Sequence, residues 1–247
     1  MSAKLSVNLN AIAFLRNRRN LPWPSVERFG RMALAAGAHG LTVHPRPDER
    51  HIRKGDVPIL ADMIRNEYPE AEYNIEGNPD ANFVSLVENT RPNQVTLVPD
   101  DIRQITSDHG WNIDAHRGFL TDVVGRLKAG GMRVSLFIDP EPDLPFLARE
   151  VGADRVEIYT GPYGGAFVPD EKRRELDKVV STGIAAAEAG VGLNAGHDLT
   201  RDNLPPIIEA LPWILEVSIG HAITADALEF GMAEAVRRFR IACGNPS

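Results

Sequence analysis

The alternation of two kinds of apolar run along the whole chain limits its fold more than any other feature. Eight short strand-like runs alternate with eight longer runs in which apolar residues recur at helical spacing. The predicted strands cover residues 5–12, 39–44, 71–76, 94–98, 133–139, 155–160, 192–197 and 215–219. The predicted helices cover residues 25–36, 58–68, 81–90, 115–129, 144–151, 170–189, 204–211 and 225–242. This order is typical of parallel βα units rather than of a meander or a sandwich.

Eight such units in 247 residues predict one α/β domain over residues 1–247, a (β/α)8 TIM barrel with extra short helices in the βα loops. The three longest irregular stretches, 17–24, 45–57 and 99–113, each follow a predicted strand. Barrel enzymes keep their functional loops at that end of the strands. We therefore look for a site among the residues that follow the strands.

The composition argues against several classes of partner. There are 27 Lys and Arg residues against 34 Asp and Glu, a net charge of -7, so bulk affinity for nucleic acid is not expected. The single cysteine, Cys243, cannot form an intrachain disulfide. No apolar run approaches the ~20 residues of a membrane span, and the first residues do not resemble a secretory signal. We expect a cytoplasmic protein without a membrane partner.

The strand sequences predict an unusually polar barrel interior. Successive side chains of a strand point to opposite faces of the sheet. The apolar ones at every second position must face the surrounding helices, so the residues between them point into the barrel. The inward pairs are Asn8/Asn10, Thr42/His44, Asn74/Glu76, Ser135/Asp139, Glu157/Tyr159 and Ser218/Gly220. An unsatisfied buried polar group costs on the order of 1 to 3 kcal/mol. Water or a ligand is therefore expected inside.

Basic residues are concentrated directly after the second predicted strand. His44, Arg46 and His51 lie there, together with three further basic residues. In an acidic chain this cluster predicts an anion site, where Arg46 and His51 hold a phosphate or carboxylate and His44 transfers protons. For any one of these residues, a solvated loop position is the alternative.

Two carboxylates, Glu76 and Glu157, are predicted to point into the mouth of the barrel. Burial raises the pKa of an unpaired carboxyl group, which suits general acid and base catalysis near neutral pH. The alternative for each is a buried structural ion pair.

Two Gly-His pairs follow the last two predicted strands, at His197 and His221. Gly220 allows the backbone to approach an anion, and a helix N-terminus behind it favours phosphate. A metal site built from His44, Glu76, His197 and His221 is an open alternative. We expect none, because this set lacks compact metal-ligand spacing and arginines already supply positive charge.

Taken together, these segments resemble the pyridoxine 5'-phosphate synthase family of vitamin B6 biosynthesis over nearly the whole chain. The resemblance rests on Val7-Asn8, Leu15-Arg-Asn-Arg-Arg19, Gly40-Leu-Thr-Val-His-Pro-Arg46, Arg50-His-Ile52, Asn74-Ile-Glu76, Leu97-Val-Pro99, Thr106, Val134-Ser-Leu-Phe-Ile-Asp139, Glu157-Ile-Tyr-Thr-Gly-Pro-Tyr163, Asn194-Ala-Gly-His197 and Ile219-Gly-His-Ala222.

The resemblance implies a barrel that condenses 1-deoxy-D-xylulose 5-phosphate with 3-amino-2-oxopropyl phosphate to pyridoxine 5'-phosphate, inorganic phosphate and water. It implies no metal or organic cofactor, and a homo-oligomer of eight barrels. His44 and Glu76 are implied as general bases, His197 as the general acid and Glu157 as a transition-state stabiliser. Asn8, Arg19, Gly220 and His221 are implied to hold the amino ketone phosphate, and Arg46, His51 and Thr106 the deoxyxylulose phosphate.

The chain departs from the family pattern at two places in the expected site. Asn10-Ala11 stands where the family usually has Asp-His, and Asn10 can hydrogen-bond but cannot carry a negative charge. Asp198 stands where the family usually has glycine. We count Asn10 and Asp198 among the substrate-binding candidates and expect altered substrate binding or rate. A phosphosugar epimerase or aldolase on the same barrel, and a non-catalytic phosphometabolite-binding paralogue, are the alternatives.

Overall fold

A computed structural model of the chain describes residues 2–19, 21–100, 103–104 and 106–245. Its eight strands are all parallel and close into a barrel in chain order, with β1 paired to β8. They are β1 (Lys4–Asn8), β2 (Gly40–Val43), β3 (Glu72–Gly77), β4 (Gln94–Leu97), β5 (Arg133–Ile138), β6 (Arg155–Tyr159), β7 (Gly192–Gly196) and β8 (Glu216–Ile219). The predicted (β/α)8 barrel is confirmed.

Helices surround the barrel and also occupy several loops after strands, including a short 3-10 helix (Asp114–His116) in the loop after β4. They are α1 (Asn10–Asn17), α2 (Val26–Ala35), α3 (Asp56–Glu67), α4 (Ala81–Thr90), α5 (Arg117–Ala129), α6 (Leu144–Glu150), α7 (Gly161–Gly164), α8 (Pro169–Ala189), α9 (Leu204–Ala210), α10 (His221–Phe230) and α11 (Met232–Ala242). Ser25 begins α2 by accepting a hydrogen bond from the N–H of Arg28, and Asp80 begins α4 in the same way. The short helices α1 and α7 confirm the expected extra helices in βα loops.

The first predicted strand is wrong beyond residue 8. The side-chain oxygen of Asn8 accepts a hydrogen bond of 2.9 Å from the N–H of Asn10, and α1 begins there. Ile12 and Ala13 are buried on one face of that helix. The apolar run therefore has helical rather than strand periodicity. Asn10 is not a strand residue, so the parity argument does not apply to it.

The last predicted helix, 225–242, is also wrong as a single element. Gly231 has φ +79, a left-handed value that glycine adopts without strain, and it separates α10 from α11. In addition, α10 begins four residues earlier than predicted, at His221. This earlier start places a helix N-terminus directly after β8.

The polar interior predicted from strand parity is confirmed. The hydroxyls of Ser6 and Thr42 lie 2.7 Å apart, and the Thr96 hydroxyl donates to the side-chain oxygen of Asn74 at 3.1 Å. The buried hydroxyls of Ser135 and Ser218 have no hydrogen-bond partner within the described ranges. Ser218 also lines a cavity at the mouth of the barrel. The interior is thus polar and only partly hydrogen-bonded beneath that cavity.

Candidate active site

A cavity of about 350 Å³ opens at the carboxyl ends of the strands. Nine of the thirteen predicted site residues line it: Asn8, Asn10, Glu76, Thr106, Glu157, His197, Asp198, Gly220 and His221. The ends of parallel strands meet at this face, so residues far apart in sequence become neighbours. The structure therefore brings most of the predicted site together.

Glu76 lies at the end of β3 and is held from β1. Its Oε2 lies 3.4 Å from the Nδ2 of Asn8, which can donate a hydrogen bond to it. Burial raises the pKa of Glu76 well above its usual value, and the negative charges of Glu157 and Asp100 raise it further. This carboxyl group accordingly holds its proton more tightly than an exposed glutamate does.

Glu157 is buried inside β6. Burial raises its pKa to about 8, and the charge of the buried Glu216 contributes. Its Oε2 has no hydrogen-bond partner among the described residues. Gly196 on β7 leaves room for this side chain, because a Cβ at Gly196 would overlap Oε1 of Glu157. At neutral pH Glu157 is therefore a protonated carboxyl group with an unused oxygen at the cavity.

His197 follows β7 and has contacts at both ring nitrogens. Its Nε2 lies 2.9 Å from the hydroxyl of Thr106, and its Nδ1 lies 3.3 Å from Oδ2 of Asp198. The Tyr159 ring meets the imidazole edge-on at 5.2 Å. Contact with His197 lowers the pKa of Asp198, despite its partial burial, and the charge of His221 lowers it further. The Asp198 carboxylate is thus in contact with His197 rather than alone near an anion site.

The segment Gly220-His221 forms the start of α10, a ten-residue helix. First-turn N–H groups have no acceptor inside their own helix and carry partial positive charge. Gly220, His221 and Ala222 all line the cavity. A Cβ at Gly220 would lie 3.2 Å from atoms of Asn8, so a larger residue would crowd this corner. The N-terminus of α10 and the corner at Gly220 are therefore suited to binding an anion.

His44 and Arg46 line a separate, smaller cavity of about 60 Å³. Arg46 is buried; its guanidinium group forms an ion pair with Asp100 and donates to the carbonyl of Gln104 at 2.8 Å. His44 Nε2 lies 3.7 Å from Oδ2 of Asp100. Burial lowers the pKa of His44 well below its usual value, and the charges of His51 and Arg46 lower it further. His44 is therefore a neutral imidazole at pH 7.

Asn10 connects the main cavity to this second one. Its Oδ1 accepts a hydrogen bond of 2.9 Å from the backbone N–H of His44. The amide thus fixes the backbone at the end of β2 while its residue lines the main cavity.

The remaining two candidates lie outside both cavities. The Nδ1 of His51 accepts from the N–H of Ile52 at 2.9 Å, and its ring centroid lies 5.9 Å from that of His44. Burial lowers the pKa of His51 to about 4, with the charge of Arg46 adding to the effect. Arg19 is exposed after α1. The structure therefore does not bring Arg46, His51 and Arg19 to the main cavity.

Asp100 lines the second cavity and was missed by sequence reasoning. It contacts Arg46 and His44, accepts a hydrogen bond of 2.7 Å from the Ser107 hydroxyl, and its Oδ1 is buried without a partner among the described residues. The sequence signal that could have identified Asp100 is its position three residues after β4. Glu76 and His197 were predicted from the same kind of position, at or just after the end of a strand.

Two features are absent from the part of the chain that the structure describes. Within the described ranges, no group of three or more His, Cys, Asp or Glu side chains is arranged to hold a metal ion. Over those same ranges, no helix has both the length and the apolar character required to cross a bilayer.

Comparison with solved structures supports the fold. Thiamine phosphate pyrophosphorylase from Pyrococcus furiosus has a TM-score of 0.61 at 14% identity, over 98% of this chain and 95% of that one. Phosphoribosyl anthranilate isomerase from Thermus thermophilus has a TM-score of 0.59 at 14% identity, over 98% of both chains. At such identities the likeness concerns the barrel alone.

Sequence comparison is far more specific. Two relatives described as pyridoxine 5'-phosphate synthase, from Allorhizobium ampelinum and Agrobacterium fabrum, are 62% and 61% identical over 247 residues. The matches cover 99% of this chain in both cases, and 99% and 98% of the relatives. A third, from Brucella abortus, is 58% identical over 240 residues, covering 97% of this chain and 98% of the relative. The model of the family "Pyridoxal phosphate biosynthesis protein PdxJ" matches residues 5–245, and the chain belongs to that family.

Proposed function

We propose that this barrel joins 3-amino-2-oxopropyl phosphate to 1-deoxy-D-xylulose 5-phosphate and closes the ring of pyridoxine 5'-phosphate, releasing inorganic phosphate and water. Family membership and relatives described as pyridoxine 5'-phosphate synthase support this function. The structural observation that carries it is one cavity holding Glu76, Glu157 and His197, in which both carboxyl groups have raised pKa values. The epimerase, aldolase and binding-only alternatives are not favoured by these relatives.

The reaction needs groups that give and groups that take protons. Amine addition, phosphate elimination, ring closure and dehydration each move protons, and positioned acids and bases lower each barrier. His44 is neutral because its pKa is lowered, so it can accept a proton at pH 7. Glu157 is protonated because its pKa is about 8, so it can donate a hydrogen bond to an oxygen that gains negative charge.

Glu76 and His197 are the second base and the acid of this proposal. Glu76 acts as a base in its ionised form, and because its pKa is raised this carboxylate is a stronger base than that of an exposed glutamate; Asn8 holds its Oε2 at the cavity. The Nε2 of His197 is directed to Thr106, and its residue lines the same cavity. Proton transfer from Nε2 to a departing oxygen is the step assigned to His197.

Two phosphate positions complete the proposal. The amino ketone phosphate binds at the start of α10 through Gly220 and His221, assisted by Asn8. Arg19 lies outside the cavity, so its assistance requires the segment after α1 to move toward this phosphate. The deoxyxylulose phosphate binds Thr106, Arg46 and His51. This second position requires rearrangement, because Arg46 is already paired with the Asp100 carboxylate. The phosphate would replace that carboxylate.

The direct test mixes both substrates with the purified protein and follows pyridoxine 5'-phosphate by absorbance or fluorescence. We expect product from the wild type and a large loss of turnover for His44→Ala and Glu76→Ala. Matched variants of exposed residues, His116→Ala and Glu70→Ala, should retain activity. If no product forms at any substrate concentration tried, the proposal is contradicted. Borohydride trapping of a lysine adduct would instead support an aldolase.

We also propose a cytoplasmic homo-oligomer, an octamer by family resemblance. Light scattering should then give a mass near eight times the 27.1 kDa of one chain. A monomer mass would contradict it.

A further inference from the structure

The two residues after β7 have an unusual backbone. His197 has φ +89 and Asp198 has φ +55, values that residues with a side chain rarely adopt. We refer to these two residues as the left-handed turn. Such a conformation persists only where surrounding contacts impose it. The contacts around the left-handed turn therefore decide where the His197 imidazole lies.

Thr160, which follows β6, supplies the closest of these contacts. Its side chain is fully buried, and its hydroxyl lies 2.7 Å from the carbonyl oxygen of Gly196 and 2.6 Å from that of His197. Its backbone N–H also donates to the Gly196 carbonyl at 3.0 Å. One residue thus holds the last carbonyl of β7 and the first carbonyl of the left-handed turn.

A second contact holds the other half of the turn. The carbonyl of Asp198 accepts a hydrogen bond of 3.0 Å from Nδ2 of Asn203, and a Cβ at Gly164 would lie 2.5 Å from that carbonyl oxygen. Asn203 is itself fixed by the Tyr163 hydroxyl at 2.7 Å and the N–H of Thr200 at 2.6 Å. The carbonyls of both residues in the turn are therefore held by buried side chains.

We infer that Thr160 is a positioning residue of the reaction, whose hydroxyl keeps His197 in the left-handed conformation that directs its imidazole to Thr106 and the cavity. The inference rests on the proposed function in so far as His197 donates a proton. Without the hydroxyl, the His197 carbonyl loses its side-chain donor, and the strained backbone is free to relax. The imidazole would then move relative to the substrate.

Thr160→Val removes the hydroxyl with little change of shape. We expect kcat to fall by about 10- to 100-fold, since small misplacements of a catalytic group have effects of this size, with both KM values within about twofold. Thr160→Ser restores a hydroxyl and should recover most of the rate. The control is Thr90→Val, because the buried Thr90 hydroxyl also donates to a backbone carbonyl, that of Leu86 at 2.8 Å, but in α4. It should leave kcat unchanged.

A double-mutant cycle distinguishes positioning from a general structural role. If Thr160 acts through His197, Thr160→Val should change kcat by less than about twofold when His197 is already Gln. If Thr160→Val lowers kcat by the same factor in the wild type and in His197→Gln, the inference is overturned.

A spectroscopic readout does not depend on turnover. In ¹H–¹³C spectra of the histidine rings, the His197 signal is identified by its loss in His197→Gln. We expect that signal to shift in Thr160→Val, to return in Thr160→Ser, and to stay in place in Thr90→Val. An unmoved signal overturns the inference. A moved signal in a protein that makes no product would refute the proposed function alone.

Asn203→Asp is the replacement test if Thr160→Val does not fold. It removes the donor to the Asp198 carbonyl while keeping an oxygen for the N–H of Thr200. A loss of kcat and a shift of the His197 signal are expected, because one of the two side-chain contacts that hold the left-handed turn is removed. No change in either would show that these contacts do not position His197 and would overturn the inference.

Discussion

The hydroxyl of Thr106 lies 2.9 Å from Nε2 of His197, which joins the loop after β4 to the end of β7 across the cavity mouth. Nδ1 of His197 faces Asp198, so Nε2 is the nitrogen available to a substrate. A phosphate that takes the Thr106 hydroxyl would release this nitrogen. Binding at the second phosphate position and availability of the acid are thereby linked.

Thr106→Val tests this link. We expect the KM for deoxyxylulose phosphate to rise about tenfold, the equivalent of one hydrogen bond to a charged group, or about 1.4 kcal/mol. Thr106→Ser should behave as the wild type. Steady-state kinetics with each substrate varied in turn provide the measurement. An equal rise in the KM of the amino ketone phosphate would show that Thr106 is not specific to one phosphate.

Glu157→Gln should stabilise the protein at alkaline pH while reducing turnover. The folded pKa of Glu157, about 8, is above its ordinary 4.5, so the wild type loses stability as the pH rises from 4.5 through 8. The neutral isostere lacks this loss and should be more stable at pH 8.5 by up to about 5 kcal/mol, with no gain at pH 4. Urea unfolding at both pH values measures the difference. Because Gln is a weaker donor, kcat should fall at least about tenfold.

The matched control for Glu157→Gln is Glu209→Gln, which changes an exposed carboxylate on α9. It should alter neither stability nor kcat. A pH-independent stability difference for Glu157→Gln would mean that packing, rather than ionisation, is responsible.

His51→Asn should reduce acid sensitivity. The folded pKa of His51, about 4, is below its ordinary 6.5, so its contribution to stability is present above 6.5 and is lost as the pH falls toward 4. Between pH 7.5 and pH 5 this loss is about 2 kcal/mol, and the variant should not show it. Asn keeps an acceptor for the N–H of Ile52, which His51 now binds. The control is His116→Asn, which changes an exposed histidine. If both variants lose stability equally at acid pH, this loss does not come from protonation of His51.

Strand positions were predictable because short apolar runs of period two have few alternative structures. The end of β1 was not, since the apolar run after Asn8 fits a strand or a helix equally well. The side chain of Asn8, which caps the N–H of Asn10, decides between them. Likewise, the break at Gly231 depends on a backbone φ that a helical pattern does not reveal.

The candidate site was predictable where a residue lies at the end of a strand or directly after it, as Glu76 and His197 do. Asp100 and Thr160 also follow strands, but their roles were missed because these depend on partners distant in sequence. Asp100 contacts Arg46, 54 positions away, and the Thr160 hydroxyl reaches the His197 carbonyl, 37 positions away. Whether Arg46 is free or paired likewise cannot be read from its place after β2.

Asp100→Asn tests whether this carboxylate occupies the place of a substrate phosphate on Arg46. The variant leaves the buried guanidinium group without the charge of its partner, so the free energy of unfolding should fall by up to about 3 kcal/mol in phosphate-free buffer. Inorganic phosphate stabilises whichever state binds it. Because it no longer competes with Asp100, it should raise the melting temperature of the variant more than that of the wild type. Asp62→Asn, which removes the exposed partner of Arg65, is the control and should change neither quantity. If phosphate raises the melting temperature equally in Asp100→Asn and in the wild type, phosphate does not bind Arg46 by replacing the Asp100 carboxylate.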